Sequence, residues 1–442
     1  MTAPLVGDRA PSGRSPFPPP RHLGFRSVVH INEKGGHFGG TEEYIELMTA
    51  ALAGVGVRSH LVCGTIGGTI APGFDSVQVV AGLGSRTTLA RSGDEVAAAV
   101  ARIDADVIYL HNVFDSAIVV ALAALEHRGP LVWYVHDHYP TCLTELRWRR
   151  DHGACRQRLG EGCLVAIADG RCVQRHADRR FDANDLRRRE SLSRSLALVD
   201  HIVVVSWYMR AVLADAEPGL VDRIQVLPRP IRIGDASARR HRTSNDSAVV
   251  TFAGRITPEK GLAVVLEAVA AIRTDVPIEL RIAGVVEHPA YWSHCQQMAH
   301  KAVEMNPELR VTVLGDLGYE PTDELLRHSD IVTVPSQWPE PLGAVALEAM
   351  SSGAAVVASD IGGLVTYLTD GHNGRLVTAD DPAAWTSAIE TLVRRPDQAQ
   401  RLGHQASLDV GRLTTEAHLD ALADVIRTAR KDLADSARAP SS

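Results

Sequence analysis

Twelve short β-branched runs alternate with helical stretches along this chain, and the alternation limits it to a narrow set of folds. In the first half the runs cover residues 27–32, 58–63, 106–111, 131–136, 201–206 and 223–227. In the second half they cover 248–253, 279–284, 310–315, 330–335, 354–359 and 375–377. Most have a largely apolar interior. Strands read this way when helices cover both faces of a parallel sheet. At 442 residues the chain is long enough for two such sheets. The stretch 234–247 is polar and aperiodic and is expected to lie between them. The fold class that follows is α/β, with two Rossmann-like doubly wound domains facing a central cleft, where ligands of open parallel sheets bind. The expected division is a disordered tail over 1–25, a first domain over 26–232 and a second over 233–415. A helical pattern over 398–434 ends in a segment, 416–442, expected to return to the first domain.

Composition narrows the partners. The net charge of −7 leaves no basic footprint for nucleic acid. No run approaches the roughly 18 apolar residues of a membrane span. Residues 1–25 are rich in Pro, Gly, Ser and Arg and lack the apolar core of a signal peptide, so a cytoplasmic location is expected. Six Cys in 442 residues do not make a disulfide scaffold. Only four of the 46 basic residues are Lys, which draws attention to Lys260, inside a motif.

The strongest motif is Glu340-Pro-Leu-Gly-Ala-Val-Ala-Leu-Glu348, after the apolar run ending at Pro335. Pro341 suits the first position of a helix. Glu340 is then expected at the helix mouth and Glu348 two turns inside, roughly 12 Å along the axis. First-turn amides between them would form an anion site. Gly362-Gly363, after another strand, is expected to offer further amides. The alternative is a surface helix with two ordinary Glu residues.

A second loop, Phe252-Ala-Gly-Arg-Ile-Thr-Pro-Glu-Lys-Gly261, brings Arg255 and Lys260 to a strand end. Arg binds phosphate in bidentate fashion and Lys as a point charge. A third, Lys34-Gly-Gly-His-Phe-Gly-Gly40-Thr-Glu-Glu, opens a helix and lets backbone approach a phosphate or sugar through Gly39 and Gly40. It is not G-x-G-x-x-G, and no acidic residue follows the second strand for a ribose, which argues against a dinucleotide cofactor. His111, His136 and His138 lie at strand ends, where polar side chains face the cleft. Asp104-Ala-Asp106 has a D-x-D pattern but enters its strand from the opposite end of the sheet, so it is read as turn carboxylates.

Together Gly254-Arg255, Glu259-Lys260-Gly261, Pro335-Ser336, Glu340-Pro-Leu-Gly, Glu348-Ala-Met and Gly39-Gly40-Thr-Glu42 resemble the GT-B-fold retaining glycosyltransferases of family 4, over roughly residues 25–430. The resemblance implies a nucleotide-sugar donor, GDP- or UDP-linked, and no required cofactor. It implies that Arg255 and Lys260 hold the donor diphosphate, Glu340 the sugar hydroxyls and Glu348 the ribose hydroxyls. Amides of Leu342 and Gly343 would lie near sugar or phosphate, and the loop with Gly315 and Leu317 against the base. His111 matches the histidine beside the transferred sugar, with His136 and His138 on the acceptor side. The insertion after the His136-Asp-His138 step and the lack of a strong membrane patch favour a small soluble acceptor, such as a natural-product intermediate, over a lipid. A sugar-nucleotide 2-epimerase, a transferase acting on a lipid or polysaccharide, and a non-catalytic binder stand as alternatives.

The chain departs from the family pattern at Leu342, where Phe is usual, and at Val365-Thr366, where Pro-Glu is usual. Arg229-Pro230 replaces an interdomain Asn-Gly, and Gly284-Val285-Val286 replaces a Gly-acid-Gly turn. Cys142, Cys155, Cys163 and Cys172 cluster in an insertion over about 140–185. Four thiols could hold zinc or an iron–sulfur centre. No C-x-x-C pair occurs, so free thiols on a loop over the acceptor site are expected.

Overall fold

The structure, a computed structural model, describes residues 23–36, 39–84, 91–151, 153–174, 179–231, 242–243 and 246–438. Most of the expected tail and most of the 234–247 boundary therefore lie outside the described residues. The first half supplies β1 (Ser27–Gly35), β2 (Arg58–Ile66), β3 (Phe74–Val79), β4 (Val107–Leu110) and β5 (Leu131–Val135). A small antiparallel hairpin follows, β6 (Trp148–Arg149) and β7 (Gly153–Ala154), then β8 (His201–Val204) and β9 (Ile224–Val226). The second half supplies β10 (Ala248–Ala253), β11 (Ile278–Ala283), β12 (Leu309–Gly315), β13 (Ile331–Val334), β14 (Ala355–Ser359) and β15 (Arg375–Val377).

Two parallel sheets result. Their orders are β3-β2-β1-β4-β5-β8-β9 and β12-β11-β10-β13-β14-β15. Both reverse direction after their first strand, between β1 and β4 and between β10 and β13. A crevice opens at the carboxyl end of such a switch point. The Gly-rich loop and His111 stand at one crevice; Gly254 and Ser336 stand at the other. Every residue of β4, β5, β8, β10, β13 and β14 is buried, as expected of strands covered on both faces.

All twelve expected strands are present. β3 was not expected: it is a sheet edge whose Phe-Asp-Ser-Val-Gln-Val alternates and stays partly exposed. The helical pattern over 398–434 is broken. Helix Pro396–Val410 ends before Gly411, and helix Thr415–Arg438 starts afresh. Between them the Leu413 carbonyl accepts the Ile231 amide, at 3.1 Å, so the break joins the two halves. The last helix packs on helix Gly40–Gly54, β5 and β8, and Arg430 donates to the carbonyls of Gly24 and Asp106. One apolar cluster runs from the first sheet through Leu342, Ala346 and Met350 to the last helix, so the two sheets share a core on that side.

Asp106 accepts the amides of Arg26, at 2.6 Å, and Ser27, at 3.1 Å, before β1 begins. This places the D-x-D pattern at the amino end of the sheet, away from the crevice.

Candidate active site

A cleft of about 920 Å³ lies between the halves. Gly39, Gly40 and Glu43 line it from the first; Arg255, Leu317 and Glu348 are among those lining it from the second. Gly39 caps helix Gly40–Gly54 without a side chain, so backbone alone faces the cleft there. On the other side Gly315 sits one strand over, its carbonyl accepting the Gly284 amide at 2.7 Å.

Lys260 ends a single 3-10 turn, Pro258–Lys260. Gly261 follows in the left-handed region, φ +74, with an added Cβ meeting the Pro335 carbonyl oxygen at 1.9 Å. Only Gly fits there. The turn presses the loop onto residues 335–340, where Lys260 Nζ reaches Glu340 Oε1 at 2.6 Å. Ser336 Oγ donates to the same oxygen. Burial alone would raise the Glu340 carboxyl, but Lys260 and Ser336 together hold it below its ordinary range. Arg255 is one-third exposed and pairs with Glu287 at 2.5 Å and Glu259 at 3.6 Å. The pair with Glu287 is exposed and therefore weak, so an incoming anion can displace it.

The helix between the two glutamates is shorter than its sequence implies. It spans Ala344–Ser351, with Gly343 as a left-handed N-cap. Glu340 and Pro341 belong to the preceding loop, and Glu348 lies one turn inside rather than two. The physical reason is the grip on that loop: Ser206 Oγ donates to the Pro341 carbonyl at 2.6 Å, and Tyr367 Oη to those of Leu342 and Gly343 at 2.8 Å. The Leu342 side chain joins the core. The Gly362-Gly363 step is also used internally. The Gly363 amide donates to the Glu340 carbonyl at 2.6 Å, and a Cβ there would meet the Pro341 oxygen at 2.2 Å. That pair braces the Glu340 loop rather than offering amides to a ligand.

Arg229 is a site residue that the motifs missed. It is 7% exposed and reaches Gly40 O at 3.2 Å, Glu43 at 2.9 Å and Glu348 at 3.9 Å. It ties the glycine loop to the second half. Its only signal in the sequence was the replacement of Asn-Gly by Arg229-Pro230. Burial raises the Glu348 carboxyl to about 7, with Arg229 opposing and Glu43 and Asp323 adding to the rise.

The histidines are placed differently from expectation. β1 pairs with β4 so that His30 lies opposite Tyr109, and β4 with β5 so that Tyr109 lies opposite Val132. Alternation then puts His30, Tyr109, His111, Tyr134 and His136 on one face. His111 is 2% exposed, and its ring is used on both sides: Nε2 lies 3.0 Å from His30 Nδ1, and Nδ1 lies 3.0 Å from His136 Nε2. His111 is buried, while the neighbouring His136 is half-buried. His138 is corrected: it is fully buried, donates from Nε2 to the Pro339 carbonyl at 2.8 Å, and packs edge-on against Trp338 and Tyr208. It is a strut between the halves rather than an acceptor contact.

Cys142, Cys155, Cys163 and Cys172 line one tight pocket beside the β6–β7 hairpin. All four are free thiols. Among the described residues no group of three or more His, Cys, Asp or Glu side chains is arranged to hold a metal ion.

Sequence comparison assigns this arrangement. The model of the family described as Glycosyltransferase Family 4 matches residues 38–234, and that described as Glycosyl transferases group 1 matches 235–409. The chain belongs to the GT-B glycosyltransferases of the family 4 type. Among similar family members, a D-inositol 3-phosphate glycosyltransferase of Stackebrandtia nassauensis is 34% identical over 207 residues, 46% of each chain. One from Streptomyces coelicolor is 31% identical over 301 residues, 65% of this chain and 61% of that one. The chain thus spans about half the length of these curated relatives. The GT-B fold is shared with sucrose-phosphate synthase from Thermosynechococcus elongatus, at TM-score 0.65 and 20% identity over 91% of this chain and 98% of that one. It is shared also with Anabaena HepE, solved with UDP and glucose, at TM-score 0.60 and 19% identity over 93% and 99%.

Proposed function

We propose that this chain is a retaining glycosyltransferase that moves a sugar from a GDP- or UDP-linked donor to a small soluble acceptor. The observation that carries the reading is the cleft that Gly39 and Gly40 of the first half share with Arg255, Leu317 and Glu348 of the second, with Lys260, paired to Glu340, on the loop that also carries Arg255. HepE was solved with UDP in its structures, and the relatives named D-inositol 3-phosphate glycosyltransferase point to a small acceptor.

In this reading residues 26–232 carry the acceptor side, residues 233–415 hold the donor, and the last helix fastens the second domain to the first. Arg255 exchanges Glu287 for a phosphate, and Lys260 shares its charge between Glu340 and the diphosphate. Both cations are in place before the sugar–oxygen bond breaks, so charge on the departing diphosphate is met without reorganisation. Glu340 keeps lone pairs beyond those used by Lys260 and Ser336, and these accept sugar hydroxyls. Glu348 accepts ribose hydroxyls, with Gly315 and Leu317 beside the base. The acceptor oxygen forms its bond to the anomeric carbon on the face the diphosphate leaves, and its proton goes to a departing phosphate oxygen. Among the described residues no helix is long and apolar enough to cross a membrane, and we place the reaction in the cytoplasm, with the donor.

A panel of nucleotide sugars, incubated with and without candidate acceptors and followed by mass spectrometry, tests the reading. The expected product is one glycosylated acceptor with the donor's anomeric configuration. A changed free sugar nucleotide without acceptor would mean an epimerase instead.

A further inference from the structure

We propose that His30 and His111 are positioning residues that hold His136 in its Nδ1–H tautomer, so that His136 meets its ligand as a hydrogen-bond donor and not as a base. The inference rests on the reading of the cleft given above for its consequence, but not for its structural content.

Three neutral imidazoles in a row can share protons in only two ways. Each neutral ring has one N–H and one bare nitrogen. The contacts are His30 Nδ1 to His111 Nε2 at 3.0 Å and His111 Nδ1 to His136 Nε2 at 3.0 Å. Either every ring carries its proton on Nδ1, or every ring carries it on Nε2. Burial disfavours charge on all three, with His60 adding at His30, the two flanking rings at His111, and Arg229 and His418 at His136, so a cation does not interrupt the row.

The inner end decides between the two arrangements. His30 Nε2 is sealed from solvent and has no hydrogen-bond partner among the described residues. If the protons sat on Nε2, His30 would bury an unpaired N–H. If they sit on Nδ1, His30 buries only a bare acceptor. Orphaned buried N–H groups are the rarer of the two. The row therefore runs outward: His30 Nδ1–H donates to His111, and His111 Nδ1–H donates to His136 Nε2.

His136 must then carry its own proton on Nδ1. That atom makes no protein hydrogen bond among the described residues and is not among the sealed polar atoms. The His136 ring is close enough to Arg229 to feel its charge, and Arg229 contacts Gly40, Glu43 and Glu348, which line the cleft. A neighbouring network is oriented independently. Pro228 offers only a carbonyl, so His418 Nδ1–H donates to it at 3.0 Å, and Tyr44 Oη donates to His418 Nε2 at 2.9 Å. Tyr44 and His418 thus compete for no proton of the row. A His136 that offers an N–H can hold a sugar or acceptor oxygen but cannot deprotonate one.

The test is the tautomer itself, read from long-range proton–nitrogen correlations of the full chain labelled with 15N-histidine. The expected result is a protonated Nδ1 and a bare Nε2 on His136; free histidine favours the opposite tautomer, so this is not the default. A protonated Nε2 overturns the proposal. In His111→Leu the donor to His136 Nε2 is gone, so His136 should shift toward the Nε2–H form and kcat should fall at least tenfold. The nucleotide-induced thermal shift should be retained. His111→Asn restores an N–H near the same place and should recover the tautomer and part of kcat. If His111→Leu keeps both tautomer and kcat, the positioning role is lost. If no donor and acceptor pair is turned over at all, the activity reading fails while the wild-type spectrum still decides the tautomer.

Discussion

Lys260 Nζ and Glu340 Oε1 lie 2.6 Å apart across 80 residues of sequence, with the lysine side chain 19% exposed and the glutamate 6%. The pair joins the first loop of the second sheet to the loop after β13. It is buried enough that each charge depends on the other.

Removing one partner from a buried pair is costlier than replacing both, because a lone buried charge remains. Lys260→Ala should lower unfolding free energy by about 3 kcal/mol. Lys260→Ala with Glu340→Gln should cost less than the sum of the single changes. Denaturant unfolding of the four proteins measures the coupling. Turnover of Lys260→Ala should fall at least about tenfold, since a charge-assisted contact to the diphosphate is worth on the order of 1.5–3 kcal/mol. Additive stabilities together with near-wild-type turnover would refute both uses of the pair.

Gly261 sets the direction of Lys260. Gly261→Ala forces a Cβ into the Pro335 carbonyl and a left-handed backbone onto an L side chain. The expected loss is about 1–3 kcal/mol from strain alone. The nucleotide-dependent thermal shift should also shrink, because the Lys260 turn must move. Gly54 ends its helix with nothing within 4 Å of an added Cβ, so Gly54→Ala serves as the control and should be neutral or slightly stabilising. Equal melting temperatures for the two variants would sink the argument.

The sheets were legible because their central strands are largely apolar, and a run such as Ile331–Val334 has no other use. β3 was not, because an edge strand keeps polar residues on its outer face. Lys260, Glu340 and Glu348 were legible because spacing places them on loops and a helix end at one sheet edge. The histidines were legible as strand-end residues, but not in depth. Nothing local tells that His30 on β1 stacks on His111 and turns it inward, or that Pro339 arrives from the other half to take His138. Arg229 stood out only as a departure, since its partners are 189 and 119 residues away in sequence or sit on the glycine-loop helix.

His138 gives a direct measure of how firmly the halves hold the Glu340 loop. His138→Ala removes a buried hydrogen bond to Pro339 and the packing against Trp338 and Tyr208. The expected cost is about 2–4 kcal/mol, combining cavity and unsatisfied carbonyl. Hydrogen exchange should rise in residues 337–342 more than in β10 or β11. Uniform exchange across the second sheet would show that the strut is not local.

Glu348 should make stability depend on pH in an unusual direction. Its carboxyl is raised from 4.5 to about 7, first by burial, then by Glu43 and Asp323, against the pull of Arg229 at 3.9 Å. The folded chain therefore keeps a proton that the unfolded chain releases. The stabilising contribution is fully present below pH 4.5 and is lost as pH rises through about 7. Glu348→Gln cannot ionise and lacks this dependence. Relative to it, the wild type should lose at most about 3 kcal/mol between pH 4.5 and 8. Denaturant midpoints of both proteins at pH 5, 6, 7 and 8 supply the comparison, in which other titrating groups cancel. Parallel curves would mean that Arg229 neutralises the burial and that Glu348 is ionised throughout.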